Sequence, residues 1–425
     1  MPKFVPIQSV KSVLFWSVIS AAFIGPGTIT TCAMSGTAFG IDLLWALTFA
    51  VVACTILQET VARIAIASGY SLGEVIAISY PKPIKYLVGF AIVFGCAAYQ
   101  AGNILGAVAG LQLIFAFDKI LMTLLVALFA SLTLALGKDK GIAKFMGIWV
   151  ALMGVMFIFV ATQASFSFPQ IIKSAFIPSF PPNAALLIIG LVGTTIVPYN
   201  LFLGSGISKG QNIKEMRIGI YLAILIGGLI SMAILVSGSI VKGEFSYVAI
   251  VNSLNQQVGK WTGKCFAVGL FAAGFTSSIT APLAAAVTIR SIISTEHKNR
   301  ATYSYWTWGL VMAVGIVFGV LGTRPIPIIL LAQAFNGLLL PLISIFIFLI
   351  INDKKIIPSA YQNSKSANFA LLAVIGIAIF LGMNNLQKAI LAYLPFAINP
   401  NFILFFLGML SLSSVIILGA FIRKK

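Results

Sequence analysis

The sequence predicts an all-α polytopic membrane protein, and three observations support that prediction. Apolar residues make up 60% of the 425 residues, charged residues only 8%, and the mean hydropathy is +1.06. A soluble core cannot absorb this much apolar surface. Apolar segments of roughly 20 residues, long enough to cross a bilayer core of about 30 Å, recur along the whole chain. Two of them are interrupted by proline, and the loops between all of them are short. We therefore expect a single integral membrane domain over residues 1–425.

Twelve segments are expected to span the membrane, of which the first and the sixth are broken. They are 12–39, 43–67, 84–115, 119–136, 143–164, 184–207, 214–240, 262–292, 304–322, 328–351, 366–382 and 402–422. The first segment follows Lys3 and Lys11 and has no Ala-x-Ala-like cleavage site. It is therefore interpreted as a retained span and not as a signal peptide.

The positive charge of the chain lies mainly on one side of the membrane. The chain has 27 Lys and Arg residues against 9 Asp and Glu residues, for a net charge of +18. With the N-terminus placed in the cytoplasm, twenty of the 27 cations fall on the cytoplasmic side. The positive-inside rule then predicts that both termini are cytoplasmic. We expect the protein to lie in the cell membrane, surrounded by lipid. The charge needs no nucleic-acid partner to explain it, and no cofactor is expected.

The two broken spans mark the candidate binding site. The run from Gly25 to Thr28 interrupts the first span, and the run from Val197 to Asn200 interrupts the sixth. Proline lacks the amide donor of a helix, and its ring clashes with the carbonyl one turn back. Broken backbone at membrane depth is tolerated where it lines a cavity or a binding site. The alternative interpretation is that the two prolines only kink continuous helices.

The positions of the breaks indicate an internal symmetry. Five spans separate them, so the two halves of the chain enter the membrane in opposite directions. Such inverted repeats are typical of secondary transporters, which bind substrate near the membrane midplane between discontinuous helices. The repeats are expected at about 12–164 and 184–351, with extra helices at 366–422.

Intramembrane charge is scarce, which argues against enzyme chemistry. Glu59 is the one acid that falls plainly inside a predicted span, and its i,i+4 spacing to Arg63 predicts an ion pair. The only histidine, His297, falls in a predicted loop. An intramembrane hydrolase would need a base or a metal cluster. We therefore expect that the protein is not an enzyme.

Five runs of residues match the motifs of a known family, each in the corresponding span. They are Gly25 to Thr28, Val197 to Leu201, and runs in the second, eighth and tenth spans at 44–63, 272–280 and 332–355. Together they resemble the natural resistance-associated macrophage protein (NRAMP) family of divalent-metal transporters, in which the first two runs are Asp-Pro-Gly-Asn and Met-Pro-His-Asn-Leu. The resemblance covers nearly the whole chain. It implies a LeuT-like inverted repeat of 5+5 helices with two extra C-terminal helices, working by alternating access.

The resemblance also implies where substrate binds. The corresponding positions here are Gly25, Gly27, Thr28, Thr194, Val197, Tyr199, Asn200, Gln333 and Asn336. The family's metal-binding Asp and Met positions are occupied by Gly25 and Val197. The chain therefore lacks the conventional metal ligand set, although a transition metal needs anionic or soft donors.

The family's proton pathway is altered as well. Its two span-three carboxylates correspond to Gln100 and Asn103, its span-six His to Tyr199, and its span-nine Arg to Trp308. A buried charge in a membrane costs at least about 2.5 kcal/mol unless it is paired or used. The absence of these acidic and basic side chains as one set is therefore physically consistent. We expect no conventional proton pathway. Three hydroxyls of the eighth span form a candidate Na⁺ site: Thr276, Ser277 and Ser278.

Three functions remain open on the sequence alone. The first is secondary-active transport of a divalent cation, Mg²⁺- or Mn²⁺-like, that keeps more of its water than in a typical relative. The second is transport of a polar organic solute, with or without Na⁺ coupling, because the predicted lining is neutral and polar. The third is a non-transporting receptor or scaffold built on the same fold. The sequence leaves the oligomeric state open.

Overall fold

A computed structural model describes residues 24–136, 148, 152, 154–241, 243–257, 259–293, 300–393 and 400–423. Every regular element in these residues is helical, and none of them is a β-strand. The prediction of an all-α protein is confirmed.

The helices are as follows. The first half contains α1 (Pro26–Phe39), α2 (Leu44–Ser68), α3 (Leu72–Ser79), α4 (Lys82–Gln112), α5 (Lys119–Leu136) and α6 (Phe168–Phe176), with a further helical segment at 154–161. The second half contains α7 (Ala185–Thr195), α8 (Pro198–Ser208), α9 (Ile213–Gly238), α10 (Tyr247–Gln257), α11 (Lys260–Ile292), α12 (Arg300–Val320) and α13 (Pro325–Ile351). Two helices follow, α14 (Lys365–Tyr393) and α15 (Pro400–Arg423).

Nine helical stretches in the described residues are long and apolar enough to cross a membrane, with α7 and α8 counted together as one broken span. Their bounds lie close to the predicted ones. The predicted spans 12–39 and 143–164 lie partly outside the described residues. The last predicted span, 402–422, corresponds to α15, which carries a shorter apolar stretch at Leu407–Ala420.

Three short helices, α3, α6 and α10, lie in segments where the sequence predicts loops between spans. The start of α3 is a capping box, in which the Ser71 side chain accepts from the Glu74 amide and the Glu74 carboxylate accepts from the Ser71 amide. This pairing satisfies amide donors that a helix start otherwise leaves unbonded. The Ser-x-x-Glu spacing is a helix-start signal that the sequence contains. Eight residues, however, are too few to show the hydrophobic period of a helix.

Burial sorts the helices into a centre and a periphery. The most apolar stretch of the broken span Ala185–Ser208 is 94% buried inside the protein, whereas that of Ala301–Val320 is 22% buried. A helix in lipid can expose apolar side chains, but broken backbone there would leave polar groups unsatisfied. The break of the sixth span is therefore enclosed by its neighbours.

Glycines allow the central helices to approach each other closely. A Cβ atom added to Gly106 of α4 would overlap the ring of Pro26, and one added to Gly274 of α11 would overlap the backbone of Ala107. Small residues at helix interfaces let two backbones pack without intervening side chains. This packing brings α4 and α11 against the start of α1.

Candidate binding site between two helix breaks

Both prolines start new helices. Gly25 is extended, with φ −99° and ψ −179°, and α1 begins at the next residue, Pro26. Helix α7 ends at Thr195, Val197 is extended, and α8 begins at Pro198. Proline suits the first position of a helix, where its missing amide has no partner to lose. The chain is therefore broken between α7 and α8, and the alternative of a kinked continuous helix is wrong for that span. At Pro26 the structure shows the start of a helix, and the residues before Ile24 lie outside its described part.

The breaks face each other and are joined by side-chain hydroxyls. The Oγ1 atoms of Thr28 on α1 and Thr194 on α7 are 3.0 Å apart and hydrogen-bonded. One turn further along α1, Thr31 Oγ1 donates to Gln333 Oε1 of α13 over 2.6 Å. The two halves of the protein therefore meet through neutral polar contacts.

A small cavity lies between the breaks, with an empty volume of about 190 Å³. It is lined by Gly25, Gly27, Thr28, Tyr99, Asn103, Thr194, Val197, Tyr199 and Ser277. Six of these were predicted as substrate positions. Asn103 and Ser277 were predicted in other roles. The structure thus brings together residues from α1, α4, α7, α11 and the start of α8.

The remaining predicted substrate positions, Asn200, Gln333 and Asn336, are buried but do not line this cavity. Gln333 Nε2 would lie 2.7 Å from a Cβ atom added to Gly27. Asn200 and Asn336 are 4% and 1% exposed, respectively. Their amide nitrogens, the amide oxygen of Asn200 and Gln333 Nε2 have no hydrogen-bond partner among the described residues. Buried polar atoms without partners are uncommon in native structures, and a bound ion or water is a usual explanation.

Gln100 and Asn103 of α4 donate hydrogen bonds to the backbone of α11. Gln100 Nε2 donates to the Ser278 carbonyl over 3.1 Å, and Asn103 Nδ2 donates to the Ser277 carbonyl over 3.0 Å. Pro282 lies inside α11, so the Ser278 carbonyl four residues earlier has no helical donor. The side chain of Gln100 satisfies it.

Trp308 lies away from these two residues. It lines a separate cavity with an empty volume of about 540 Å³, beside Arg290 and Tyr305 near the start of α12. One turn further along α12, Met312 accepts a hydrogen bond from Gln100 Nε2 at 3.3 Å. The three altered coupling positions therefore do not form one cluster in this conformation.

The three hydroxyls of the candidate Na⁺ site have different surroundings. Thr276 Oγ1 donates to the Ala272 carbonyl over 2.9 Å, and Ser278 Oγ donates to the Gly274 carbonyl over 2.7 Å. Ser277 Oγ has no partner among the described residues. Of the three side chains, it is Ser277 that lines the cavity.

Among the described residues no acid lines the cavity, and Glu59, the acid predicted inside a span, forms ion pairs elsewhere. Glu59 pairs with Arg63 over 3.1 Å, which confirms the predicted ion pair, and also with Arg217 of α9 over 2.9 Å. Within the described ranges there is no group of three or more His, Cys, Asp or Glu side chains that could hold a metal ion. Oxygen atoms with partial negative charge come instead from hydroxyls, amides and the C-terminal carbonyls of α7.

Tyr99 lines the cavity as well, although it was not among the predicted site residues. Its ring packs edge-on against that of Tyr199, with centroids 5.5 Å apart, and its hydroxyl donates to the Gly193 carbonyl over 3.4 Å. Tyr99 lies four residues before Asn103, so the two share one helix face. That spacing was the available signal.

Solved structures show the class of protein that this architecture defines. A crystal structure of the manganese transporter of Eremococcus coleocola superposes with a TM-score of 0.79 at 15% identity, covering 100% of this chain and 97% of that chain. MhsT in complex with L-phenylalanine gives a TM-score of 0.62 at 16% identity, covering 89% and 98%. Such identities establish the fold alone. The chain has the LeuT fold of membrane transporters.

Sequence comparison identifies the family. The model described as natural resistance-associated macrophage protein-like matches residues 17–388. The divalent metal cation transporter MntH of Mesorhizobium japonicum is 27% identical over 367 residues, 80% of each chain. MntH of Bacillus subtilis is 26% identical over 303 residues, 65% of this chain and 70% of its own. The chain belongs to the NRAMP family, whose members are integral membrane transporters and not enzymes.

Proposed function

We propose that this protein is a secondary-active transporter of a divalent metal cation, Mg²⁺- or Mn²⁺-like, that binds between the two helix breaks and works by alternating access. The observation that carries the proposal is the contact between Thr28 and Thr194 at the edge of an oxygen-lined cavity. Discontinuous helices that meet at the centre of inverted repeats are where secondary transporters bind their ions. The metal-transporting relatives support the choice of cation.

The donors that line the cavity suit a cation that prefers oxygen. Hydroxyl, amide and carbonyl oxygens are typical ligands of Mg²⁺, Ca²⁺ and Mn²⁺, whereas thioether and thiolate sulfur select softer ions. The apolar Val197 lines the cavity at the family's Met position. Because none of the lining side chains is charged, we expect the cation to keep part of its water as ligands.

The residues at the predicted proton-pathway positions support transport without proton coupling. Gln100 and Asn103 carry amides, which neither gain nor lose a proton at physiological pH. Both donate to backbone carbonyls of α11. We therefore expect cation uptake that carries net charge and changes little between pH 6 and 8, where side-chain relays would titrate.

The size of the cavity supports an ion over an organic solute. Its empty volume is about 190 Å³ even with the open space at its mouth included. This upper bound is below the volume of about 300 Å³ or more that is usual for pockets that hold small organic molecules. An organic solute would need a wider conformation of the same site.

Uptake into proteoliposomes tests the proposal. Purified protein is reconstituted with a metal-sensitive dye inside, a valinomycin-set potential and, in parallel samples, an interior pH dye. We expect saturable, potential-driven Mn²⁺ or Mg²⁺ uptake without matching acidification. Lack of uptake of either cation at any potential would contradict the proposed function. Uptake with matching acidification would contradict only the loss of proton coupling.

We extend the proposal to a location in the cell membrane with both termini cytoplasmic, because most Lys and Arg side chains then lie on the cytoplasmic side. Tags at each end, tested for protease access in intact cells, check this orientation. Cleavage of either tag from outside would contradict it.

A further inference from the structure

The hydroxyl of Ser277 differs from its neighbours because it has no hydrogen-bond partner among the residues that the structure describes. Serine and threonine inside a helix usually donate to the carbonyl four residues earlier. Thr276, Ser278 and Thr280 all donate to carbonyls of preceding residues. Ser277 Oγ does not, although the residue is 1% exposed. Its oxygen lines the cavity between the helix breaks.

Ser277 Oγ lies where a side chain from the first span would otherwise begin. A Cβ atom added to Gly25 would be 2.9 Å from Ser277 Oγ and 3.7 Å from Asn103 Oδ1. Asn103 uses its nitrogen to donate to the Ser277 carbonyl, which turns its oxygen toward this point. Two neutral oxygens, one from α4 and one from α11, therefore surround the place of a residue-25 side chain.

We infer that Ser277 Oγ and Asn103 Oδ1 are ligands of the transported cation, and that this pair replaces the carboxylate that Gly25 lacks. The inference rests on the proposed function and adds the ligands and the class of ion. Both donors are hard, uncharged oxygens. The site therefore selects a hard cation, such as Mg²⁺, Mn²⁺ or Ca²⁺, against a thiophilic ion such as Cd²⁺.

Substitution of Ser277 tests the inference by two readouts, uptake KM in proteoliposomes and the cation-induced rise in melting temperature of the detergent-solubilised protein. Ser277→Ala removes the oxygen, and we expect the KM for Mg²⁺ and Mn²⁺ to rise on the order of tenfold. Ser277→Cys keeps a side chain of similar size but offers sulfur. We expect it to gain Cd²⁺ binding and to lose Mg²⁺ binding.

Ser291→Ala is the matched control, because Ser291 is a buried serine of the same helix whose hydroxyl donates to the Thr288 carbonyl. We expect it to keep the wild-type KM. Wild-type uptake with unchanged KM and unchanged Cd²⁺ response in both Ser277 variants would overturn the inference and leave the proposed function intact. A wild type that neither transports nor is stabilised by any divalent cation would overturn both. If Ser277→Ala fails to fold, the Mg²⁺ to Cd²⁺ preference of Ser277→Cys decides the question.

Discussion

The amide nitrogen of Gln100 lies 3.1 Å from the Ser278 carbonyl and donates to it. Pro282, four residues after Ser278, cannot supply that hydrogen bond. A glutamine at position 100 thus completes the backbone bonding of α11 from the neighbouring helix α4. An ionised carboxylate at the same place has no proton to donate. Gln100 therefore has a structural role in this chain.

Gln100→Glu should destabilise the protein at neutral pH. In the variant an ionised carboxylate, which cannot donate, faces the Ser278 carbonyl. That carbonyl then has no donor, and a buried acceptor without a donor lowers the free energy of unfolding by about 1–3 kcal/mol. Thermal unfolding in detergent measures the effect as a lower melting temperature. Gln163→Glu is the control, because Gln163 is exposed and its amide bonds only to Thr162 among the described residues. Equal melting temperatures for the two variants would contradict the structural role.

Gly25→Asp should be accepted poorly unless Ser277 changes with it. The added Cβ atom would lie 2.9 Å from Ser277 Oγ but 3.6 Å from Ser277 Cβ, which is ordinary contact. Turning the Ser277 hydroxyl aside costs on the order of 1 kcal/mol, as for a side chain moved off its preferred rotamer. We expect Gly25→Asp with Ser277→Ala to melt higher and to bind Mn²⁺ more tightly than Gly25→Asp alone. Titration of Mn²⁺ into the two variants checks this. A single variant that equals the double variant would show that Ser277 turns aside without cost.

Glu59→Gln should be the most damaging substitution in the ion-pair cluster. Glu59 bonds both Arg63, whose side chain is 8% exposed, and Arg217, whose side chain is 45% exposed. Arg63 also donates to the Tyr361 carbonyl and to Asn363 Oδ1. Removing the acid leaves a buried guanidinium without its charge partner, which costs about 3–5 kcal/mol. Arg217→Gln removes a largely exposed partner and should cost about 1 kcal/mol or less.

Urea or thermal unfolding of the purified variants separates these two outcomes. Glu244→Gln is the control, because Glu244 is exposed and has no ion pair within the described part of the chain. Similar losses of unfolding free energy for Glu59→Gln and Arg217→Gln would mean that the ion pair with Glu59 does little to stabilise the buried Arg63.

Glu74, in the short helix α3 outside the spans, should make stability fall in acid. Burial raises the pKa of its carboxyl, but hydrogen bonds from Lys209 and Ser71 and the charge of Lys209 outweigh burial, so the pKa lies below its ordinary value of 4.5. A carboxyl whose pKa is lowered by folding adds stability above its unfolded pKa, and this contribution is lost as the pH falls through the folded value.

The measurement is the melting temperature of the wild type and of Glu74→Gln between pH 7 and pH 3. We expect the difference in melting temperature between the wild type and Glu74→Gln to be largest above about pH 4.5 and to disappear in more acid solution. Glu244→Gln should follow the wild type throughout. A constant gap at all pH values would assign the effect to capping alone, independent of the charge on Glu74.

Much of the fold followed from local signals. The lengths of the apolar runs predicted the spans, and α2, α5 and α11 begin and end close to the expected residues. Short amphipathic segments such as α6 escaped prediction because nine residues give too weak a period.

The candidate site was predictable where proline and the family motifs marked it. Gly25, Thr28, Thr194 and Val197 lie around one cavity, as the two breaks indicated. Tyr99 is not marked by a proline or by a family motif, and only its spacing of four residues from Asn103 indicates that the two share one face of α4.

The helical spans, the prolines that interrupt two of them and the scarcity of intramembrane charge could be predicted from the sequence, because chain length, missing amide donors and residue identity are local properties. Tertiary structure alone decided that Gln100 completes α11, that Trp308 faces another cavity, and that Ser277 reaches the space beside Gly25. Those relationships depend on how helices far apart in the chain rotate and pack against each other. Hydrophobic period does not encode that rotation when a helix is apolar on every face.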